Sequence, residues 1–410
     1  MTNAKPRVLL IVTKDTKDTE GRYLRRCLED AGCEVFHLDP SVRRTVGGTE
    51  ISPEDVAAAA GTTLEAVRAI GHEGKIQETM IVGATKLALD LHARVGLSGI
   101  LSIGGSMGTT MGTAVMRAFP YGVPKMMIST LASGFTAGFV GLKDIAMLNA
   151  VCDISGINSI TSEVYRNGAA GLAGMAHAYK PGPADGRPLV LVSTLGTTEF
   201  AARRVRESLE ADGNEVMVFH TTGTGGRTLD ALAAERNVSA IVEMSLVEIN
   251  DLLHDGVCSA GPDRAMVQLK RGIPIVMAPG NADFYVMPSP LAVGDNPFEG
   301  RRFHIHNAAL TAVRTNEADL ERLADHLARI LADAQGPVHF YIPLRGFSSH
   351  DSPAGRIYEP ALPPRFAEYC KRTFPPNVKL KVLDAHINDP AFADAMVEAV
   401  RNLTRPAAAT

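Results

Sequence analysis

The sequence predicts an α/β protein made of two Rossmann-like domains, each a doubly wound parallel sheet, joined by a short Pro/Gly linker. Short apolar runs rich in Val, Leu and Ile, such as residues 7–13 and 189–194, are typical of strands covered on both faces. Segments with apolar residues at helical spacing alternate with these runs. Residues 180–188 contain three prolines and two glycines, which indicates a linker. We therefore expect domains at residues 1–182 and 183–410.

Length and composition set the broad class of the protein. A chain of 410 residues is too long for one ordinary core, and 45% apolar with 21% charged residues fits a globular α/β protein. A net charge of −4 gives no reason to expect a nucleic-acid partner. The five cysteines are scattered and form no Cys-x-x-Cys pair, which favours reduced thiols. No stretch reaches 18 apolar residues, so we expect a cytoplasmic protein without a membrane partner.

The first 40 residues have the pattern of a βαβ unit. A strand at 7–13 is followed by a polar loop at 14–20, a helix ending at Gly32 and a strand at 34–39. Ligands of such sheets bind outside the carboxyl ends of the strands. The loop residues Asp15, Thr16 and Lys17 are therefore expected beside the ligand. Helix starts are expected at Pro53, capped by Ser52, and near Leu64.

The glycine-rich stretch at 98–113 is the best candidate for an anion site in the first half. An apolar run ends at Gly104 and Gly105 and is followed by Ser106, Gly108 and Thr109, with a helix expected from about Ala114. A strand that leads through glycines into a helix leaves backbone N–H groups free for a phosphate. The stretch lacks the P-loop signature, and a tight turn without a ligand is the alternative. A second small-residue turn, with Ser133 and Gly134, follows a strand at 125–129.

The pattern starts again after the linker. A strand at 187–194, a polar loop at 197–199, a helix closed by Gly213 and a strand at 215–220 repeat the opening order. Thr13 and Gly32 match Thr194 and Gly213 at the same offset. We interpret this as two related halves, although chance similarity among α/β sequences is the alternative.

Polar residues follow several strands of the second half. The turn at 222–227 is a second candidate anion site, and 278–283 is another polar turn. Alternation at 302–307 places His304 and His306 on one face of a strand, where they could bind a metal, contact substrate or line a polar cleft. Arg345 suits a carboxylate or phosphate, or a surface salt bridge. No hydrolase nucleophile elbow or dinucleotide fingerprint is present.

The motifs together resemble one known family. They are Asp15-Thr16-Lys17, residues 104–109, residues 132–134, residues 220–226, residues 278–280 and residues 304–307. This combination is similar to the Tm-one-like ATP-binding domain family, named after the ATP-binding domain of the tomato mosaic virus resistance protein. The resemblance extends from about residue 6 to 403. It implies two Rossmann-like subdomains, Mg-ATP binding in the first, and self-association; many members carry a further barrel domain, which we expect to be missing here.

Three functional hypotheses follow, and whether the protein is an enzyme is open. In the first, it binds Mg-ATP, with Lys17 offsetting phosphate charge and Asp15 holding Mg²⁺. The residues expected to bind this cofactor are Asp15, Thr16, Lys17, Gly104, Gly105, Ser106, Gly108, Thr109, Ser133 and Gly134.

In the second hypothesis, a lyase, isomerase or hydrolase acts on a small phosphorylated or carboxylated metabolite in a cleft between the halves. His304, His306 and Arg345 would be catalytic. The expected substrate-binding residues are Thr222, Gly223, Gly225, Gly226, Arg227, Gly280, Asp283 and Asn307. One pocket is predicted to contain the two histidines, Arg345 and the 222–227 turn.

In the third hypothesis, the protein is an interaction module whose shape a nucleotide stabilises. In every case we expect a homo-oligomer, with a dimer as the simplest form.

Overall fold

A computed structural model describes residues 5–182, 186–290, 297–298 and 300–404. The chain divides into two compact units, Met1–Gly182 and Pro183–Thr410. Residues 183–185 of the expected linker lie outside the described residues. No described helix is long and apolar enough to cross a membrane.

The first unit contains a five-stranded parallel sheet in the order β2-β1-β3-β4-β5. Its strands are β1 (Arg7–Ile11), β2 (Glu34–Leu38), β3 (Gly99–Gly104), β4 (Lys125–Ser129) and β5 (Ala146–Asn149). Its helices are α1 (Lys14–Asp30), α2 (Pro53–Ala59), α3 (Leu64–Ala69), α4 (Glu73–Val95), α5 (Ser106–Ala118), α6 (Ala137–Val140) and α7 (Ser159–Ala178).

Helices cover both faces of this sheet. Leu9 and Ile11 pack into a core with side chains of α4 and α5, such as Met80 and Val115. Val8 and Leu10, which point to the opposite face, pack with side chains of α1 and α7. This two-sided burial explains why β1 is a continuous apolar run without alternation.

The second unit contains a six-stranded parallel sheet in the order β14-β13-β9-β8-β6-β7. Its strands are β6 (Leu189–Thr194), β7 (Glu215–His220), β8 (Ala240–Ser245), β9 (Ile275–Gly280), β13 (Val338–Pro343) and β14 (Val378–Leu383). Its helices are α8 (Glu199–Ala211), α9 (Thr224–Glu235), α10 (Val247–Leu253), α11 (Met266–Lys270), α12 (Glu317–Ala332), α13 (Leu362–Thr373) and α14 (Pro390–Thr404).

Both sheets follow the same winding order. If β6, β7, β8, β9 and β13 are numbered one to five, their order is 2-1-3-4-5, as in the first unit. Two parallel-sheet α/β units therefore confirm the predicted fold class.

A small antiparallel sheet in the second unit is absent from the sequence prediction. Strands β10 (Phe284–Pro288), β11 (Phe303–Ile305) and β12 (Leu310–Arg314) pair in the order β10-β12-β11. This sheet lies in the chain between β9 and β13, which are themselves neighbours in the parallel sheet. The alternating pattern at 302–307 thus belongs to a strand outside the main sheet.

Helix starts were predicted correctly where a side chain caps them. Ser52 forms a capping box with Asp55 at the start of α2, and Thr63 caps α3. Two other starts were wrong. Residues 14–20 are the first turns of α1, interrupted by non-helical dihedral angles at Lys17, and α5 begins at Ser106.

Packing explains the early start of α5. A Cβ at Gly112 would lie 2.3 Å from Oγ of Ser102, and a Cβ at Gly104 would lie 2.5 Å from Cα of Gly108. The glycines of this stretch thus allow helix α5 to lie directly against strand β3. They allow close packing of the helix, whereas the sequence suggested a loop up to about Ala114.

Candidate functional site

The candidate site of the first unit lies where the strand order reverses, between β1 and β3. These strands are direct neighbours, with Ile11 opposite Ser102. Helices α1 and α5 begin just beyond their carboxyl ends, at Lys14 and Ser106. Ligands of open α/β sheets bind at this reversal.

The first turn of α5 has unpaired backbone donors. Among the described residues, no acceptor forms a hydrogen bond with the N–H groups of Ser106, Met107 and Gly108. Gly105 is the N-cap residue and supplies no side-chain cap. The nearest atom to a Cβ at Gly105 would be Oγ1 of Thr130, at 3.8 Å, so the space above this turn is open. An anion is the natural partner for such a helix end.

The first turn of α1 is closed in comparison. The N–H of Lys14 donates to Oδ1 of buried Asp39 at 3.0 Å, and the N–H of Asp15 donates to Oγ of Ser41 at 3.0 Å. Burial raises the pKa of Asp39, although its hydrogen bonds oppose the shift. The carboxylate of Asp15 accepts from the N–H of Arg43 at 3.0 Å. The amides of the predicted phosphate loop at Asp15 are therefore already paired.

A cavity of about 260 Å³ lies between these helix ends. Its lining residues are Thr13, Asp15, Thr16, Pro40, Val42, Arg43, Glu73, Ile76, Gln77, Met80, Met107, Gly108 and Met111. The cavity has an apolar wall from α4 and α5 and a polar rim from the start of α1 and the loop after β2. Lys17, Ser133 and Gly134 are not among its lining residues.

The structure changes the roles of two predicted contacts. The buried hydroxyl of Thr109 bonds Oγ of Ser129 at 2.7 Å, so it holds α5 to β4. The cation that lines the cavity is Arg43, where the sequence suggested Lys17. Sequence reasoning missed Arg43 and Gln77. The signal for Arg43 was its place in the polar turn that follows the second strand.

The glycine-rich turn of the second unit is filled by the protein's own carboxylate. Oε1 of Glu248 accepts from the N–H groups of Gly223 at 2.8 Å and Gly226 at 2.9 Å. A Cβ at Gly226 would lie 1.8 Å from Oε2 of Glu248. An external anion would have to displace a buried carboxylate here. This finding corrects the expectation that these two amides are free for substrate.

The other members of this turn also make internal contacts. A Cβ at Gly225 would lie 1.8 Å from the carbonyl oxygen of His220, and Nε of Arg227 donates to the carbonyl of Gly223 at 3.1 Å. Thr222 precedes Gly223, whose φ of 89° favours glycine.

Buried Arg264 holds Glu248 in place. Its guanidinium contacts Glu248 at 2.8 Å, Glu243 at 2.7 Å and Asp230 at 3.0 Å. Burial raises the pKa of Glu243 to about 7, with attraction to Arg264 opposing the shift. Three carboxyl groups share one cation, so the cluster favours keeping a proton.

Asp283 and Gly280 are buried in the interior of the second unit. Asp283 is fully buried and accepts from Oγ of Ser348 at 2.7 Å. Burial and repulsion from Asp351 raise the pKa of Asp283 to about 7, against the attraction of Arg314. A Cβ at Gly280 would lie 2.0 Å from the carbonyl oxygen of Met244. Neither residue is placed as an exposed substrate contact.

The two predicted histidines lie near a third that the sequence spacing did not reveal. The ring of His304, on β11, is 4.7 Å from that of His350. Burial lowers the pKa of His304, and burial together with the charge of His304 and His306 lowers that of His350 to about 4. His306 is exposed just beyond β11. No group of three or more His, Cys, Asp or Glu among the described residues could hold a metal ion.

Asn307 and Arg345 have local partners. Oδ1 of Asn307 accepts from the N–H groups of Ala309 and Leu310, which closes the turn between β11 and β12. Arg345 forms a bidentate pair with exposed Asp384, with both bonds at 2.8 Å. This is the surface salt bridge that the sequence left open. A pocket shared by the histidines, Arg345 and the 222–227 turn stays a prediction.

Two protein-family domains together match nearly the whole chain. Residues 6–181 match the N-terminal domain of the uncharacterised protein family UPF0261, and residues 187–404 match its C-terminal domain. The chain belongs to the UPF0261 family. A member from Clostridium tetani is 33% identical over 97% of this chain and 98% of its own length. One from Mesorhizobium japonicum is 34% identical over 95% and 97%.

A plant protein is also similar. The ToMV resistance protein Tm-1 of Solanum lycopersicum is 28% identical over 96% of this chain, which matches 55% of the plant protein. This finding supports the relationship that the motifs indicated. Among solved structures, a Streptomyces glycosyltransferase covers 67% of this chain and 82% of its own at 15% identity, but its TM-score of 0.21 carries no argument.

Proposed function

We propose that the first unit binds a nucleoside triphosphate, ATP with Mg²⁺, with the phosphates at the N-terminus of α5. The observation that carries this proposal is the set of three unpaired N–H groups at Ser106, Met107 and Gly108 beside the cavity. A helix end of this kind contributes about 0.3–1 kcal/mol for each negative charge through its dipole, besides the hydrogen bonds themselves. The family resemblance supplies the choice of ATP.

The shape of the cavity fits part of a nucleotide. Its volume of about 260 Å³ lies just under the roughly 300–1,000 Å³ of small-molecule pockets. Phosphates would lie against α5, and the apolar wall of Ile76, Met80 and Met107 suits the flat face of a base. Part of the nucleoside would extend into solvent.

Two charged residues complete the proposed site. Arg43 lines the cavity and would contact a phosphate through a charge-assisted hydrogen bond. Asp15 would hold Mg²⁺, which proteins bind through one or two carboxylates together with phosphate oxygens. Bound Mg²⁺ would neutralise phosphate charge.

Substitution of Gly105 tests the proposal directly. Gly105→Val places a branched side chain in the open space above the α5 turn, where the phosphate would lie. We expect at least a tenfold loss of ATP affinity in isothermal titration with Mg²⁺ present, equal to a loss of about 1.4 kcal/mol. The matched control is Gly174→Val on α7, where a Cβ meets nothing within 4 Å.

The two variants decide the outcome together. Circular dichroism must show that both are folded. If folded Gly105→Val binds ATP as tightly as the parent protein and Gly174→Val, the α5 turn is not the phosphate site. A separate measurement of phosphate release from ATP by the parent protein distinguishes an ATPase from an interaction module that only binds the nucleotide. Sedimentation with and without ATP tests the expected dimer.

A second candidate function is acid–base chemistry on a small metabolite in the second unit. The specific observation is the contact between His304 and His350, whose lowered pKa values keep both imidazoles neutral at pH 7, so that each ring has a nitrogen lone pair able to accept a proton. Turnover of a phosphorylated or carboxylated metabolite that His350→Gln abolishes, in protein that still binds ATP, would establish this activity. Equal turnover by parent and variant would remove the histidine pair from the chemistry.

A further inference from the structure

The small antiparallel sheet brings two arginines side by side. Arg314 is the last residue of β12, and its N–H donates to the carbonyl of Arg302, just before β11, at 2.9 Å. Directly opposed residues of an antiparallel pair project to the same face. The chain at 358–359 then fixes both side chains. Nη1 of Arg302 donates to the carbonyl of Tyr358 at 2.6 Å, and Nη2 of Arg314 donates to that of Glu359 at 3.5 Å.

These arginines belong to an open groove of about 410 Å³ in the second unit. Its lining residues are Arg301, Arg302, Arg314, Thr315, Asn316, Glu317, Glu359, Ala361, Leu362 and Arg365. Four arginines thus face two carboxylates. Arg301 forms an ion pair with the carboxylate of Asp319.

The four arginines differ in exposure and in their ion-pair partners. The side chain of Arg314 is only 5% exposed, and its Nη1 lies 3.2 Å from Oδ1 of Asp351. Its Nε is buried and has no hydrogen-bond acceptor. Arg314 is therefore a fixed cation with an unused donor, and leaving a buried donor unpaired costs about 1–3 kcal/mol.

The outer arginines can change partners at low cost. Arg302 pairs with Glu359 and Arg365 pairs with Glu317, and both arginines are more than half exposed. Exposed ion pairs of this kind contribute about 0–1 kcal/mol. An anion entering the groove can replace one carboxylate partner without a large penalty.

We propose that this groove binds a small dianion through carboxylate or phosphate oxygens. Arginine pairs with both groups through two parallel hydrogen bonds, and the groove supplies a fixed arginine at its floor with exchangeable ones at its rim. The site is separate from the α5 turn and does not depend on ATP binding there. Its ligand would be a small phosphorylated or dicarboxylic compound.

Calorimetric titration of the full chain with inorganic phosphate and, separately, with succinate tests this site at matched ionic strength. Arg365→Gln removes a rim cation and should weaken binding about tenfold, the size expected for one charge-assisted hydrogen bond. Glu317→Gln removes the competing carboxylate of Arg365 and should tighten binding several-fold. The control is Arg22→Gln, which removes an arginine of similar exposure that pairs with Asp18 in the first unit.

The proposal predicts the direction of the change in anion affinity for each variant. Opposite changes in Arg365→Gln and Glu317→Gln, with no change in Arg22→Gln, support the groove, and the tighter of the two anions identifies the ligand class. Equal weakening by Arg365→Gln and Arg22→Gln would mean non-specific attraction and overturn the proposal. So would the absence of binding by both anions up to about 10 mM. Binding that is lost only in Gly105→Val would belong to the first unit and also overturn it.

Discussion

Two glycine-rich turns have similar sequences and opposite structures. At residues 104–108, a strand passes through two glycines into helix α5, and three backbone N–H groups have no acceptor among the described residues. At residues 221–226, a strand passes through a similar turn into α9, and two N–H groups donate to buried Glu248. The first turn is open to a ligand, and the second binds its own chain.

The difference comes from residues far from either turn. Glu248 lies on α10, 22 residues after Gly226, and Arg264 holds it there. In the first unit the internal carboxylate is at α1 and not at α5: Asp39 accepts a hydrogen bond from the N–H of Lys14, the first residue of α1. In each unit one helix end is closed by an acidic residue from another element or loop, Asp39 after β2 and Glu248 on α10. Glycines alone therefore do not show which turn binds an external anion.

The strongest test of this comparison is alanine substitution in both turns. In Gly226→Ala the new Cβ would meet Oε2 of Glu248 at 1.8 Å and Nε of Arg264 at 2.2 Å. Displacing this buried ion cluster should lower the free energy of unfolding of the second unit by about 3–5 kcal/mol. In Gly105→Ala the Cβ meets nothing closer than 3.8 Å, so we expect a loss of about 1 kcal/mol or less.

Urea unfolding monitored by circular dichroism measures both changes. The two variants carry the same chemical change, so intrinsic differences between Gly and Ala largely cancel. Similar stability of the two proteins would show that the second turn is not filled as tightly as its contacts indicate.

The buried cluster around Arg264, which holds Glu248 in the filled turn, should also make the stability of the second unit depend on pH. The pKa of Glu243 is raised to about 7, so the folded state holds a proton that the unfolded state releases near pH 4.5. The resulting stabilisation is present below pH 4.5 and is lost as pH rises towards 7. Between pH 5 and 7 this loss should be about 2 kcal/mol.

Comparison with Glu243→Gln isolates this contribution. The variant keeps a hydrogen-bonding side chain beside Arg264 but cannot titrate, so its stability should fall less between pH 5 and 7. Glu207→Gln, at an exposed position on α8, is the control and should behave like the parent. Parallel pH profiles for all three proteins would contradict the proton-holding cluster.

The smallest expected effect concerns the open turn. Arg43→Gln removes the cation that lines the first-unit cavity and should reduce ATP affinity about tenfold with the fold intact. Arg44→Gln is the matched control, because Arg44 is adjacent in sequence and is not among the residues that line the cavity. Equal ATP affinities in the two titrations would place the phosphates away from Arg43.

The fold was predictable because its signals are local. Apolar runs predicted strands such as β1, β4, β6 and β7. Ser52 and Thr63 marked the starts of two helices through their own side chains. The start of α5 was not predictable from local sequence. Gly112 allows this helix to lie close to Ser102 on β3, and that partner is distant in the chain. A short sequence window does not show such partners.

The candidate site was predictable only in part, for the same reason. The apolar run before Gly104 and Gly105 predicted that they follow a strand, whereas the sequence did not predict that this strand lies beside β1. The filling of the 222–227 turn by Glu248, and the contact between His304 and His350, depend on residues brought together by folding. Arg43 was missed because an arginine in a polar turn has the same pattern as an ordinary exposed side chain.

The inserted antiparallel sheet has a consequence for the order in which the second unit folds. Strand β13 pairs with β9, but the chain between Gly280 and Val338 holds the small sheet and α12. Pairing β13 with β9 requires closing this long loop, whereas β6, β7 and β8 are joined by shorter crossovers. We expect β6 to β9 to form first and β13 and β14 to dock late. In pulse-labelling hydrogen exchange, the amides of Phe340 and Ile342 would then become protected after those of Val190 and Val242.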